Sequence, residues 1–228
     1  MPSIKLSGRL EAIARLIPRG GVADVGTDHG YIPVYLALNA YEGRIVATDI
    51  KKAPLERARK SARAYGQAEK IEFRLCDGLS APDGGIETVV IAGMGGENIA
   101  RIIEKAPWLR ENGCLLILQP MTKAAFMRAW LYTNGFAVCS EQLVEDGAVY
   151  ELLRAHPGED LPYSPAELLL GHTRLIAADP LFARRLDGLI EKYERVCSGL
   201  GHSAKTGDPS RLTEAGLTLD SLKALRNG

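Results

Sequence analysis

The sequence has no net charge: its 28 Lys and Arg are matched by 28 Asp and Glu. A chain held on nucleic acid by a global positive field is thereby excluded, and only a local basic patch remains open. Cysteine is sparse. Cys76, Cys114, Cys139 and Cys197 stand far apart with no C-x-x-C, and His29, His156, His172 and His202 are equally scattered. No zinc spacing and no disulfide framework follow, so no metal is expected and a reducing compartment is. No apolar run reaches the ~18 residues of a membrane span, and no signal-peptide pattern is visible. The expectation is a soluble, cytoplasmic protein without a membrane partner. The dinucleotide pattern G-x-G-x-x-G is missing from the first Gly loop, and no Lys-Ser/Thr follows the later run Gly93-Met94-Gly95-Gly96. A pyrophosphate cradle and a Walker loop are both disfavoured.

What is present suffices for a packed core: 46% of the 228 residues are hydrophobic, in one or two domains. The organising stretch is residues 22–31. Val22 to Val25 is an apolar run carrying Asp24, it breaks into Gly26-Thr27-Asp28-His29-Gly30, and a helical pattern starts at Tyr31. Strand, Gly turn and helix form the first unit of an α/β nucleotide-type fold. Asp24 and Asp28 bracket the turn. Carboxylates there repel a pyrophosphate and suit a sulfonium and an ammonium, as on S-adenosylmethionine. A Gly-rich turn with two solvated acids is the plain alternative.

Leu6, Leu10, Ile13, Ala14 and Ile17 give an N-terminal helix, with Ser3 or Ser7 as cap and Arg9, Arg15 and Arg19 on its polar side. Arg44 to Asp49 is a second strand. Asp49 lies 19 residues after Gly30, where such folds place an acid for ribose hydroxyls, although a helix N-cap would also use it. Residues 51–63 hold Lys51, Lys52, Arg57, Arg59, Lys60 and Arg63 against Glu56 alone. This helix is the candidate phosphate patch, or else an ordinary basic surface. Ile71 to Leu75 leads to Asp77-Gly78, with Asp77 placed for an adenine amino group. Glu87 to Ala92 ends in Gly93-Met94-Gly95-Gly96, read as a loop that shapes a slot for a flat base beside Met94. Gly113 to Gln119 is a fifth strand ending at Pro120, and Lys123 to Asn134 a helix. Phe136 to Leu143 and Ala148 to Arg154 form a hairpin across Glu145-Asp146-Gly147. Together they predict a Rossmann-like, mostly parallel seven-stranded sheet with one antiparallel edge strand, and ligand residues after strand C-termini.

The Pro-rich stretch 156–165 marks a boundary between a domain at 1–160 and a C-terminal unit at 166–228, with 166–178 helical or irregular. Phe182, Leu186, Leu189, Tyr193, Val196 and Leu200 make a heptad seam. Leu212, Ala215, Leu219 and Leu222 make a second. Gly199, Gly201 and Gly207-Asp208-Pro209 allow a reversal, so an antiparallel helical hairpin (a short coiled coil) is expected. Two helices make a poor independent fold, and this pair should lean on the first domain. With eight Lys/Arg and seven Asp/Glu over 179–226, its charge does not decide between a structural arm and a substrate-gripping one.

Asp-Val-Gly-Thr-Asp-His-Gly-Tyr-Ile-Pro (24–33), Ile-Ala-Gly-Met-Gly-Gly (91–96) and Leu-Gln-Pro (118–120) resemble the signatures of the bacterial tRNA adenine-N1 methyltransferases of the TrmK type. Leu-Ser-Gly-Arg-Leu (6–10) and Tyr-Glu (150–151) are also similar. The chain departs from the pattern at Gly171-His172, where Gly-Pro is expected, and in a short hairpin. The resemblance implies transfer of a methyl group from S-adenosyl-L-methionine to N1 of adenine 22, in the D-arm region of tRNA. A monomer is expected. It implies that Asp24, Gly26, Thr27, Gly30, Asp49, Ile50, Asp77, Gly78, Ala92 and Gly93 hold the cofactor. Asp28, His29, Gly93 and Met94 are then the catalytic candidates at the junction with the base. Arg9, Tyr31, Gln119, Pro120 and the basic helix are the tRNA candidates. From the residues alone, a methyltransferase of small molecules or proteins, and a non-catalytic RNA-binding module, stay open.

Overall fold

The computed structural model describes residues 4–79, 84–202 and 209–227. Ser3, Pro82-Asp83 and Gly207-Asp208 lie outside the described residues. The chain runs α1 (Gly8–Leu16), β1 (Val22–Val25), α2 (Tyr31–Leu38), β2 (Ile45–Asp49), α3 (Lys52–Ala64) and β3 (Ile71–Leu75). It continues through β4 (Thr88–Gly95), α4 (Gly96–Glu104), α5 (Trp108–Glu111), β5 (Leu115–Thr122), α6 (Ala124–Thr133), β6 (Phe136–Asp146) and β7 (Ala148–Pro157). It closes with α7 (Pro165–Leu170), α8 (Thr173–Ile176), α9 (Phe182–His202) and α10 (Pro209–Asn227).

The strands form one seven-stranded sheet in the order β3-β2-β1-β4-β5-β7-β6. Alternation along each central strand feeds two cores, because successive side chains point to opposite faces. Ala23, Val25, Val89, Ile91, Leu116 and Leu118 pack against α4, α5 and α6. Val22, Val90 and Ile117 pack against α1, α2 and α3 on the other face. The strand order reverses between β1 and β4, and a crevice opens at such a switch point, outside the strand C-termini.

Three expectations change. The antiparallel strand is not at the edge. β7 inserts between β5 and β6, antiparallel to both. The crossover through α6 lays β6 parallel one strand-width beyond β5, and the turn at Gly147 (φ 73°) folds β7 into the slot. Second, Gly93 to Gly95 is not a loop, and β5 does not stop at Gln119. The two strands stay paired to Gly95 and Thr122 through register shifts around Met94, with Gly93 at φ 77°. Third, Gly199 and Gly201 lie inside α9 and reverse nothing.

Segment 166–178 is two short helices, the first closed by a Ser164/Glu167 capping box. Ser7 precedes α1 without a side-chain cap. The hairpin leans on α7: Leu186, Leu189, Ile190 and Leu222 bury against Ala166 and Leu170. Phe182, Tyr193 and Leu219 join them, while Val196, farther along the seam, stays exposed.

A candidate nucleotide-type site at the switch point

A cavity of about 820 Å³ opens where β1, β2 and β4 end, flanked by α1 and α4. Its floor is the first Gly turn. Gly26 and Thr27 N–H both donate to the Thr48 carbonyl, at 2.9 and 3.0 Å, and tie the turn to β2. Gly26 has φ 71°, and a Cβ there would run into the Met94 methyl. The Met94 methyl is the movable end of a flexible side chain, so it is the left-handed backbone that favours glycine here. Asp24 is buried, and its Oδ2 accepts from Thr27 Oγ1 at 2.6 Å. Burial pushes the Asp24 carboxyl up to about 6, with the Thr27 bond opposing and the charge of Asp49 adding. A cationic ligand would draw it back to the ionised form. Asp49 is also buried, and its Oδ1 accepts from Lys51 N at 2.9 Å. Ile50, 61% exposed, offers the cavity an apolar surface.

Asp28 sits at φ 49° and is ion-paired with Arg57, with His29 Nε2 at 3.7 Å. Its charge is therefore balanced by Arg57. His29 and Tyr31 stack at 5.3 Å between ring centroids. Asp77, expected to face an adenine amino group, is paired with Lys105 at 2.7 Å. The Arg9 guanidinium reaches the other end of the cavity, held by Gln119 Oε1 at 2.6 Å and lying over the Tyr150 ring at 5.3 Å. Arg15 and Arg19 instead pair with Glu11 and Glu42 on the outer surface.

The cavity thus gathers Arg9, Asp24, Gly26, Thr27, Asp28, His29, Tyr31, Asp49, Ile50, Lys51, Asp77, Gly78, Ala92, Gly93 and Met94. Other expected site residues stand outside it. Gly30 (φ 69°) is a packing glycine, where a Cβ would meet Ala58 Cα at 3.1 Å. Gln119 and Pro120 are buried beneath the strand ends and present nothing to a macromolecule. The basic helix is not one stripe: at 3.6 residues per turn, Arg57 and Arg59 point ~160° apart. Arg57 turns to Asp28, and Arg59 lies over the Phe73 ring at 4.8 Å and donates to its carbonyl. Lys52, Lys60 and Arg63 are exposed.

Asn98, Arg101, Ile102 and Lys105 line the cavity from α4 and the turn after it, and were not anticipated. Their 3–1–3 spacing is one helix face directly after the Gly run, a signal the sequence does carry. Among the described residues no group of three or more His, Cys, Asp or Glu could hold a metal ion, and no helix is long and apolar enough to cross a membrane.

Residues 6–153 match the methyltransferase domain family. The chain is 38% identical over 175 residues to the tRNA (adenine(22)-N(1))-methyltransferase of Bacillus subtilis (strain 168), covering 75% of this chain and 74% of that one. The crystal structure of the B. subtilis m1A22 tRNA methyltransferase TrmK superposes with a TM-score of 0.83 at 29% identity, over 97% of this chain and 99% of that one. Streptococcus pneumoniae Sp1610, solved in complex with S-adenosyl-L-methionine, superposes with a TM-score of 0.77 at 29% identity, over 94% and 100%. Signature motifs, switch-point cavity and whole-chain superposition agree, and the chain belongs to the tRNA (adenine(22)-N(1))-methyltransferase family, on a Rossmann-like fold with a C-terminal helical hairpin.

Proposed function

We propose that this protein transfers a methyl group from S-adenosyl-L-methionine to N1 of adenine 22 in tRNA, as a cytoplasmic monomer that needs no metal. The observation that carries this reading is the cavity, acidic around the Gly turn at one end and bounded by Arg9 at the other. Its residues fit the cofactor. The Gly26 turn brings bare backbone to the cavity floor, Asp24 and Asp49 lie buried beside it, and Ile50 supplies apolar surface for a purine. When bound, S-adenosyl-L-methionine would supply an electrophilic methyl group to adenine N1, the methyl–sulfur bond breaking to leave the neutral thioether, with no covalent enzyme intermediate.

The chain's own residues then position and desolvate. Asp49 accepts the ribose hydroxyls and Gly78 leaves room beside them. Asp24, ionised by the ligand's positive charge, anchors the methionine end through the Thr27 turn. Met94, over Gly26, separates the cofactor end from the base end with an adaptable thioether. Tyr31 and His29, already stacked, offer a face for the base once it is pulled from its stack, since N1 lies on the Watson–Crick edge. Asp28, balanced by Arg57, holds this turn in shape and offers a cationic ring little net charge.

Asp49→Ala should weaken cofactor binding by ~1.5–3 kcal/mol, the range for hydrogen bonds to a charged group. Calorimetry on the folded variant checks this, and unchanged affinity removes Asp49 from the site. The acceptor is tested by offering labelled cofactor with bulk tRNA or with a protein extract. Label should enter the tRNA alone, and label in protein or small molecules would sink the reading. Lys52, Lys60 and Arg63 remain as phosphate contacts on α3. Neutralising all three should flatten the log–log salt dependence of tRNA binding by roughly two to three units, with cofactor affinity constant. An unaltered slope returns them to solvated surface.

A further inference from the structure

Gln119 is fully buried within β5, opposite Ala92 of β4, which with Gly93 lines the cavity. Its Oε1 accepts two hydrogen bonds, from Arg9 Nη1 at 2.6 Å and from Gly93 N at 3.1 Å. Both partners can only donate, so the amide oxygen must face them. Its Nε2 faces away, toward the Pro120 carbonyl at 3.2 Å and the Met121 sulfur at 3.4 Å. Arg9 is fixed further by Tyr150 under its guanidinium and by Asp146 Oδ2, which accepts its backbone N–H at 3.1 Å. Its guanidinium thus meets a neutral amide and a ring; the nearby Asp146 carboxylate, bonded to the Arg9 backbone, feels its charge but makes no contact ion pair with it. Lys105 at the opposite side of the cavity is neutralised by Asp77.

We propose that Gln119 is a positioning residue that holds Arg9 as an immobile cation without a contact ion pair at the base end of the cavity, where it binds a phosphodiester of the target nucleotide. The proposal rests on the tRNA reading above. A buried glutamine does here what a glutamate cannot: it accepts both hydrogen bonds and leaves the positive charge for the substrate. The same oxygen ties Gly93 to Arg9, so the strand end beside the base and the phosphate contact keep one fixed separation. Leu-Gln-Pro then matters as an acceptor placed under Arg9 and not as a surface that meets RNA.

Gln119→Glu adds a charge at constant side-chain length, at the loss of the Nε2 contacts to the Pro120 carbonyl and the Met121 sulfur. Its carboxylate still accepts both bonds but cancels the charge of Arg9. Full-length protein should show a KM for tRNA raised about tenfold and a salt slope of tRNA binding shallower by roughly one unit. Its kcat should stay within about threefold, with unchanged cofactor affinity. Arg9→Ala should lose the same unit of slope, and the double variant should lose no more than Arg9→Ala alone. Gln119→Leu, which removes the acceptor for Gly93 as well, should lower kcat in addition. An unchanged KM and slope in Gln119→Glu overturns the proposal. So does an unchanged slope in Arg9→Ala, which stands even if the Gln119 variants fold poorly. Wild-type protein that transfers no methyl to tRNA would instead fail the underlying functional reading.

Discussion

Replacing Arg128 with leucine should destabilise the protein by about 3–5 kcal/mol, the cost of leaving buried charges without their partner. Arg128 sits on α6 with no exposed surface. Its Nε and Nη2 donate to Glu141 Oε2 at 2.9 and 2.7 Å, Nη2 also to Glu151 Oε2 at 2.7 Å, and Nη1 to the Leu168 carbonyl at 3.1 Å. Burial alone would lower the guanidinium's pKa. Glu151 and Glu141 outweigh it and hold the value above the ordinary one. Each acid is then bonded onward. Glu141 Oε1 accepts from His172 N at 3.0 Å, and Glu151 Oε1 from Arg185 on α9 at 2.8 Å. The node therefore joins α6, β6, β7, the α7–α8 turn and the hairpin. A midpoint lower by roughly 6–20 °C is expected for a chain of this size. Urea unfolding gives the free energy directly, and a loss under about 1 kcal/mol would mean the node is not held by Arg128. Replacing all three charged residues by apolar ones of similar volume should recover much of the loss.

Cutting the chain after Pro180 should leave a protein that binds S-adenosyl-L-methionine within about threefold of the full chain. Methyl transfer to tRNA should fall by at least about 10²-fold, equivalent to ~2.7 kcal/mol. The position of the cut follows from contacts. Residues 160–179 are fastened to the sheet: Asp160 Oδ2 accepts from Val138 N at 2.9 Å, and Asp179 Oδ2 from Leu143 N at 2.8 Å. A cut at 165 would strip Leu168 and His172 from the Arg128 node and confuse lost folding with lost docking. The hairpin itself is joined through Arg184–Glu145 and Arg185–Glu151, at 2.9 and 2.8 Å. β6 runs parallel to β5, so Glu145 lies at the edge of the sheet where the cavity opens, next to Asp146 and hence Arg9. Arm and cavity share one end of the molecule, which suits an RNA gripped at one and modified at the other. A truncated protein that methylates tRNA at the full-length rate would make the hairpin a structural accessory.

The parts of the site that were legible in the sequence are those whose cause is local. Asp24, Gly26 and Asp49 follow from strand endings and a turn that favours glycine, and each lines the cavity. Contacts across long sequence separation were not legible. Nothing near Arg128 announces that Glu141 and Glu151 will meet it in the core. Glu72 likewise draws in Arg44 across the sheet at 2.6 Å, which holds its carboxyl below the ordinary range. Composition misled at the basic helix, because net charge over 51–63 does not say which side chains are consumed internally, as Arg57 and Arg59 are. Gln119, the last residue of the strand expected from Gly113, is a tRNA candidate in the sequence. β4 and β5 stay paired past it, and it is buried under Arg9. The seam in α9 was read correctly as a period, but α7 covers only its base, so Phe182 to Tyr193 pack and Val196 does not.

The central claim is the chemistry at N1 of one adenine, and the most direct measurement is to map the base that receives the methyl group. Purified protein, S-adenosyl-L-methionine labelled on its methyl group and unmodified bulk tRNA should give label in N1-methyladenosine alone. Primer extension should stop at position 22 in the D-arm region of the accepting species. Label in another base, in a small molecule or in protein, or an unlabelled tRNA pool with cofactor bound, would contradict the account.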